Sequence, residues 1–184
     1  MPPLTRIARS AAVALSALAL TACATTMTAG SHVDRALDFA RYRTWNWGPA
    51  DTLPTGDARL DANPFFLDHV QGAVEKGLAA RKLKGPNPDA PALLIHFHAS
   101  INQQIDVNGI DSRRGYCDNA CTEGIVQYEA GTLVLDFIDA ETNRLIWRGW
   151  AQDTVEGVLD NEDRMAKKID EAVAKMLARL PPSL

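Results

Sequence analysis

The sequence predicts an α+β sandwich: a mixed four-stranded sheet with two helices packed on one face, in the order β-α-β-β-β-α. Three observations carry this. Tyr128 to Thr154 holds two runs rich in β-branched and aromatic residues around a polar break at Ala140 to Asn143, the pattern of a β-hairpin. Met165, Ile169, Ala172, Val173, Met176 and Leu180 recur at helical spacing and make one apolar stripe. Between two strand-like segments, Phe39 to Trp47 and Ala92 to Ile101, lies a second helical pattern, which favours a parallel pair joined by a crossover.

Before the first element comes a processing signal. Arg6 and Arg9 make a positive start, followed by the apolar run Ala11 to Leu20. That run is short for a bilayer span, which takes about 20 apolar residues. It ends in Leu20-Thr21-Ala22-Cys23, which resembles a bacterial lipobox: a Leu three residues before a Cys, small residues between, and cleavage just before the Cys. Residues 1–22 then read as a signal peptide, and the Cys23 thiol as the lipidation site. The plainer alternative is an ordinary secretory peptide cut elsewhere, with Cys23 incidental. In bacterial lipoproteins generally, a residue other than Asp after the Cys permits transfer to the outer membrane, and Ala24 fits that rule. The expected location is the bacterial cell envelope, on the outer membrane facing the periplasm.

Removal of residues 1–22 takes away two arginines and no acid, so the net charge moves from −4 to −6 over the remaining 162 residues. That length suits one domain. An acidic chain is poorly built for nucleic acid or for docking on anionic lipid, so membrane attachment is expected through the acyl chains. Ala24 to His32 is small, polar and without periodicity, and residues 23–36 read as a flexible tether before a single domain at 37–184. Extended, Ala24 to His32 reaches about 30 Å. His32 in it reads as solvated.

Phe39 to Trp47 alternates aromatic residues with Arg41, Arg43 and Asn46 and reads as the first strand, closed by Gly48-Pro49. Asn63 and Pro64 read as N-cap and first residue of a helix whose stripe is Phe66, Val70, Ala73, Val74, Gly77 and Leu78. Gly77 on that stripe implies close approach to the sheet, and the helix is expected to end near Gly85-Pro86. His69 falls toward its polar side. In Ala92 to Ile101, Leu93, Ile95, Phe97, Ala99 and Ile101 share one face, while His96 and His98 share the other. Asn108-Gly109 signals a tight turn, and 111–124 reads as a polar loop. Asn143 suits the left-handed position of a four-residue hairpin loop. Asp160 or Asn161 can cap the last helix, Glu162 and Asp163 suit its positive end, and Pro181-Pro182 stops it.

Several blocks, taken in order, resemble a family of bacterial lipoproteins known as domain of unknown function 4136. They are Asp38-Phe39 through Thr44-Trp45-Asn46-Trp47, Asn63-Pro64, Pro91 to His98, Gly131 to Asp139 and Ile146-Trp147-Arg148-Gly149. The resemblance implies a small α+β envelope domain and brings no established active site.

Candidate chemistry is sparse. His96 and His98, two apart on a strand, can face one metal ion, and Cys117 and Cys121 could complete a Cys2His2 set. The plainer reading has both imidazoles on a polar sheet face and Cys117 and Cys121 joined as a disulfide, as an oxidising envelope favours. Its short loop would contribute about 2 kcal/mol. No Cys-x-x-Cys motif or helix start lowers either thiol's pKa for redox work. Asp139 and Glu141 read as turn residues. Asp136 opposes Trp147 if the loop is 140–143; with a one-residue bulge it opposes Ile146 and lies diagonal to Arg148. No catalytic triad order, phosphate-cradling loop or zinc-helix motif occurs, and no cofactor is implied. The expected function is a non-enzymatic, lipid-anchored envelope protein that binds an envelope partner. The alternative is a metal-binding envelope protein using His96 and His98. Of Trp45, Trp47, Trp147 and Trp150, most are expected in the core, with any exposed one a contact residue.

Overall fold

The computed structural model describes residues 27–34, 36–49, 57–87, 89–105 and 127–184. Its strands are β1 (Thr28–Val33), β2 (Trp45–Trp47), β3 (Leu93–Ile105), β4 (Gln127–Asp139) and β5 (Arg144–Thr154). Its helices are α1 (Ala58–Asp61), α2 (Pro64–Ala80) and α3 (Glu162–Leu177). The strands form one mixed sheet in the order β1-β5-β4-β3-β2. All neighbours are antiparallel except β2 and β3, which run parallel around α2. The α+β class and the mixed sheet are as expected, but the strands number five rather than four.

The extra strand comes from residues expected to be tether. Thr28–Val33 pairs with β5 from Gln152 to Trp147. Its small residues hid it, and their smallness has a cause: a Cβ on Gly30 would lie 2.4 Å from the Trp150 ring. An edge strand beside a row of bulky neighbours needs no hydrophobic alternation of its own.

Phe39 to Trp47 is likewise not one strand. Asp38 caps a 3-10 turn at Phe39–Arg41, accepting from the Ala40 N–H at 2.9 Å, and only Trp45–Trp47 is extended. Phe39 and Tyr42 bury together with ring centroids 6.0 Å apart, and Trp45 and Trp47 meet edge-on at 5.4 Å. The aromatic alternation therefore belonged to two adjacent local structures.

Asn63 caps α2 through the Phe66 N–H at 3.1 Å, with Pro64 in the first turn, and Phe66, Val70, Val74 and Leu78 are buried on one stripe. The helix stops at Ala80, short of Gly85, because Lys82 takes a left-handed backbone (φ 65°). Arg81 then binds both helix ends, donating to the carbonyls of Gly77 at 3.2 Å and Leu177 at 2.7 Å. Gly77 marks a close approach to α3 rather than to the sheet: a Cβ there would lie 2.3 Å from Leu177 Cδ1. Asn161 caps α3 through the Arg164 N–H at 2.9 Å, and Met165, Ile169, Ala172, Val173, Met176 and Leu177 are buried. The stripe's last member, Leu180, is buried beyond the helix end.

Both long helices cover one face of the sheet. There they meet Leu93, Ile95, Ala99, Leu133, Leu135, Phe137, Trp147 and Ala151, all buried. The other face carries the alternate residues.

The hairpin forms as expected, with Asn143 at φ 54°. Its register is neither of the two considered. The pairs Phe137–Trp147 and Ile138–Leu145 leave Ile146 as the extra residue, so the bulge lies in β5. Asp136 therefore sits directly opposite Arg148.

Candidate functional site

The sheet face turned away from the helices is built by strand alternation. With Leu93, Ile95 and Ala99 turned to the helices, His96 and His98 must point the other way. The register then lines up His96 of β3, Asp136 of β4, Arg148 of β5 and His32 of β1 in one row across four strands. His32 thus lies in a strand and not in a tether, but it is exposed, as expected.

Asp136 is the fixed point of the row. Only 4% of it is exposed, and its two oxygens accept from Arg148 Nε at 2.6 Å and Nη2 at 2.5 Å. Hydrogen bonding to Asp136 is the main cause that raises the Arg148 pKa above its ordinary value. His98 Nε2 stands 3.9 Å from the same carboxylate. A fork-to-fork pair of this kind is held in both position and charge. The carboxylate is already committed to a cation, which makes it a poor general base. His96 packs its ring on the backbone of Gly48, where a Cβ would lie 1.9 Å from Nε2. Next along β5, the Trp150 ring lies over Gly30 and stays 39% exposed.

Of the four tryptophans, Trp45 and Trp147 are fully buried and Trp47 packs partly buried against the same core, while Trp150 is exposed. Trp47 is half-buried and donates from Nε1 to Glu75 Oε1 at 3.0 Å. His69 stacks on Phe65 and faces Asp170 at 3.3 Å, on the helical surface.

A second buried carboxylate, Asp139, does more than shape the turn. It accepts the N–H groups of Glu141 and Thr142 at 3.0 and 2.9 Å, the Tyr42 hydroxyl at 2.6 Å and Arg41 Nη2 at 2.9 Å. Burial, the largest single influence, would raise its pKa, but the hydrogen bonds from Tyr42 and the turn together hold it at about 2. Burial and the bond to Asp139 push Tyr42 up to about 12. This cluster ties the 3-10 turn to the hairpin.

Among the described residues no group of three or more His, Cys, Asp or Glu is placed to hold a metal ion. Cys23, Cys117 and Cys121 lie outside the described residues, as do the turn at Asn108-Gly109 and the loop at 111–124. No described helix is long and apolar enough to cross a membrane.

One pocket lies on the covered face, between α3, the sheet and the turn that follows β5. Its volume is about 80 Å³, and its wall includes Met27, Phe66, Leu133, Val158, Met165 and Ile169. The two charged residues on that wall, Asp153 and Lys168, form an ion pair with each other. Its wall draws on at least five separate segments, which is why sequence spacing gave no hint of it.

The sequence profile described as "Domain of unknown function (DUF4136)" matches residues 30–182. No curated protein matches. Among solved structures, a PDZ domain protein from Parabacteroides distasonis is similar with a TM-score of 0.54 at 14% identity, over 85% of this chain and 36% of that one. The chain thus spans about a third of that protein, and likeness at this identity speaks to the fold alone. Two PelC dodecamer structures from Paraburkholderia phytofirmans follow with TM-scores of 0.46 and 0.42, at 11% and 10% identity. Each is matched over 83% of this chain and over 95% and 96% of its own.

Proposed function

The chain belongs to the DUF4136 family, and from that premise we propose that it is a lipid-anchored bacterial envelope protein whose domain is a binding module and not an enzyme. The N-terminus supports the anchor: Arg6 and Arg9, the apolar run to Leu20, and Leu20-Thr21-Ala22-Cys23 agree in order and spacing. Ala24 suits the outer membrane. The single observation that carries the binding reading is the sheet face turned away from the helices, where Asp136 and Arg148 are fixed to each other beside an exposed Trp150. Such a face presents rigid polar and aromatic groups, which suits recognition of an envelope partner. A catalytic face would need an uncommitted acid or base in a recess.

The position of β1 bears on how such a protein would stand on a membrane. Strand β1 begins at Thr28, five residues after Cys23. At 3.8 Å per residue the domain is held within about 19 Å of the lipidated sulfur, closer than a tether through residue 36 would hold it. The β1 edge of the sheet would then be kept at short range from the bilayer surface.

The test is intact-mass measurement of the mature protein together with fractionation of cells making Cys23→Ala. Acylation at Cys23, and release of the variant into the soluble periplasm, is the expected result. An unmodified mature chain cut elsewhere removes the anchor. Crosslinking from Trp150 in cells tests the face, and recovery of no partner from Trp150 while an α3 surface position captures one moves the binding site to the helices.

The competing reading, a metal ion held by His96 and His98, needs further ligands. The neighbouring carboxylate, Asp136, has both oxygens on Arg148. Metal analysis of untagged protein from the periplasm separates the two readings: about one ion per chain, lost in His96→Ala and His98→Ala, would establish it.

A further inference from the structure

We propose that the pocket beneath α3 takes one acyl chain of the protein's own N-terminal lipid. This rests on the reading of Cys23 as lipidated and adds a place for part of that lipid inside the fold. The wall is almost wholly apolar, and its two charges, Asp153 and Lys168, neutralise each other, so no polar ligand finds a free charge to bind. A single water needs about 10–15 Å³ of such volume and two or more polar partners. The space of about 80 Å³ therefore admits several water-sized groups and suits a run of methylenes better than water.

Position names the occupant. Met27 lines the pocket, its carbonyl held by Lys175 Nζ at 3.0 Å, and of the lining residues it stands nearest to Cys23 in the sequence. Cys23 lies four residues earlier, so its sulfur is at most about 15 Å of backbone from the pocket's edge. A chain tethered at that range has an effective concentration in the millimolar range, which a free fatty acid would not match. The volume holds only part of a long acyl chain, so one chain would be sheltered in part while the others stay available to the bilayer.

The test uses a nearly isosteric diazirine analogue of methionine in the lipid-modified full chain. Met27 and Met165 line the pocket, whereas Met176 is buried away from it. After irradiation of the Met27→Leu chain in cells, the expected product joins the Met165 peptide to the acyl group of Cys23, located by fragment mass, with none formed from Met176. Met165→Leu should abolish that product, and Ala172→Leu, which fills the pocket from α3, should reduce it. Absence of the Met165 product while Cys23 carries its full lipid mass overturns the pocket assignment and leaves the anchor standing. A Cys23 without lipid mass overturns both. Equal products from Met165 and Met176 would mean unspecific contact and would also overturn it.

Discussion

Asp136 and Arg148 show how much one residue of register decides. Asp136 is buried and Arg148 about half exposed, at 48% of its side chain, so solvent screening reduces what the pair is worth. Arg148→Ala leaves a buried carboxylate without its cation and should destabilise by about 2 kcal/mol in urea unfolding, less than a fully buried pair would cost. Asp136→Asn with Arg148→Met should recover part of that loss, since neither then buries a charge. Asp139 gives the pH counterpart. Its folded pKa of about 2 lies below the ordinary 3.8, so its contribution is present above pH 3.8 and is lost as pH falls toward 2. That contribution is at most about 2 kcal/mol. Tyr42 runs the other way: raised to about 12 from 10.0, it contributes below pH 10 and loses that as pH climbs toward 12. The two report one shared hydrogen bond, so Tyr42→Phe should flatten both limbs of a stability-against-pH curve. In the sequence, Asp139 was legible as a turn residue because turn chemistry is local. Its bond to Tyr42, 97 residues away, had no local signal.

At the scale of elements, caps and stripes were readable and endings were not. Asn63, Pro64 and Asn161 act through the first turn of their own helices, so local sequence suffices. The end of α2 is set by Lys82 and by Arg81 reaching Leu177, a contact between helices. Gly77 and Gly72 separate propensity from packing on one helix. A Cβ at Gly72 meets nothing within 4 Å, so Gly72→Ala should stabilise by about 0.5–1 kcal/mol. At Gly77 the same change drives a methyl into Leu177. It should cost about 1–2 kcal/mol despite the gain in helix propensity, and Leu177→Ala should relieve much of the clash. Chemical denaturation of Gly72→Ala, Gly77→Ala and the Gly77→Ala/Leu177→Ala double variant checks the pattern, and equal gains at both glycines would show that α3 yields readily.

For the whole molecule, the α+β class was legible because hydrophobic periodicity is strong in β3, β4, β5 and the two long helices. The fifth strand was not, since β1 takes its place from the shape of β5 and carries no pattern of its own. A tether could be removed without effect on folding. Deleting residues 24–33 should instead strip β5 of its partner and open Trp147 and Ala151 to solvent. The expected result is a fall in Tm of about 5–10 °C and self-association of the exposed edge, read by calorimetry and light scattering. An unchanged Tm would show β1 to be dispensable.

The pairing of β1 with β5 also sets an order in time. Thr28 finds its partner Gln152 across 124 residues of chain, so the first strand to emerge is the last to be matched. Until β5 arrives, β1 has no neighbour in the sheet. Its backbone stays open to other partners for as long as β5 is unmade, and pairing with β5 closes that interval.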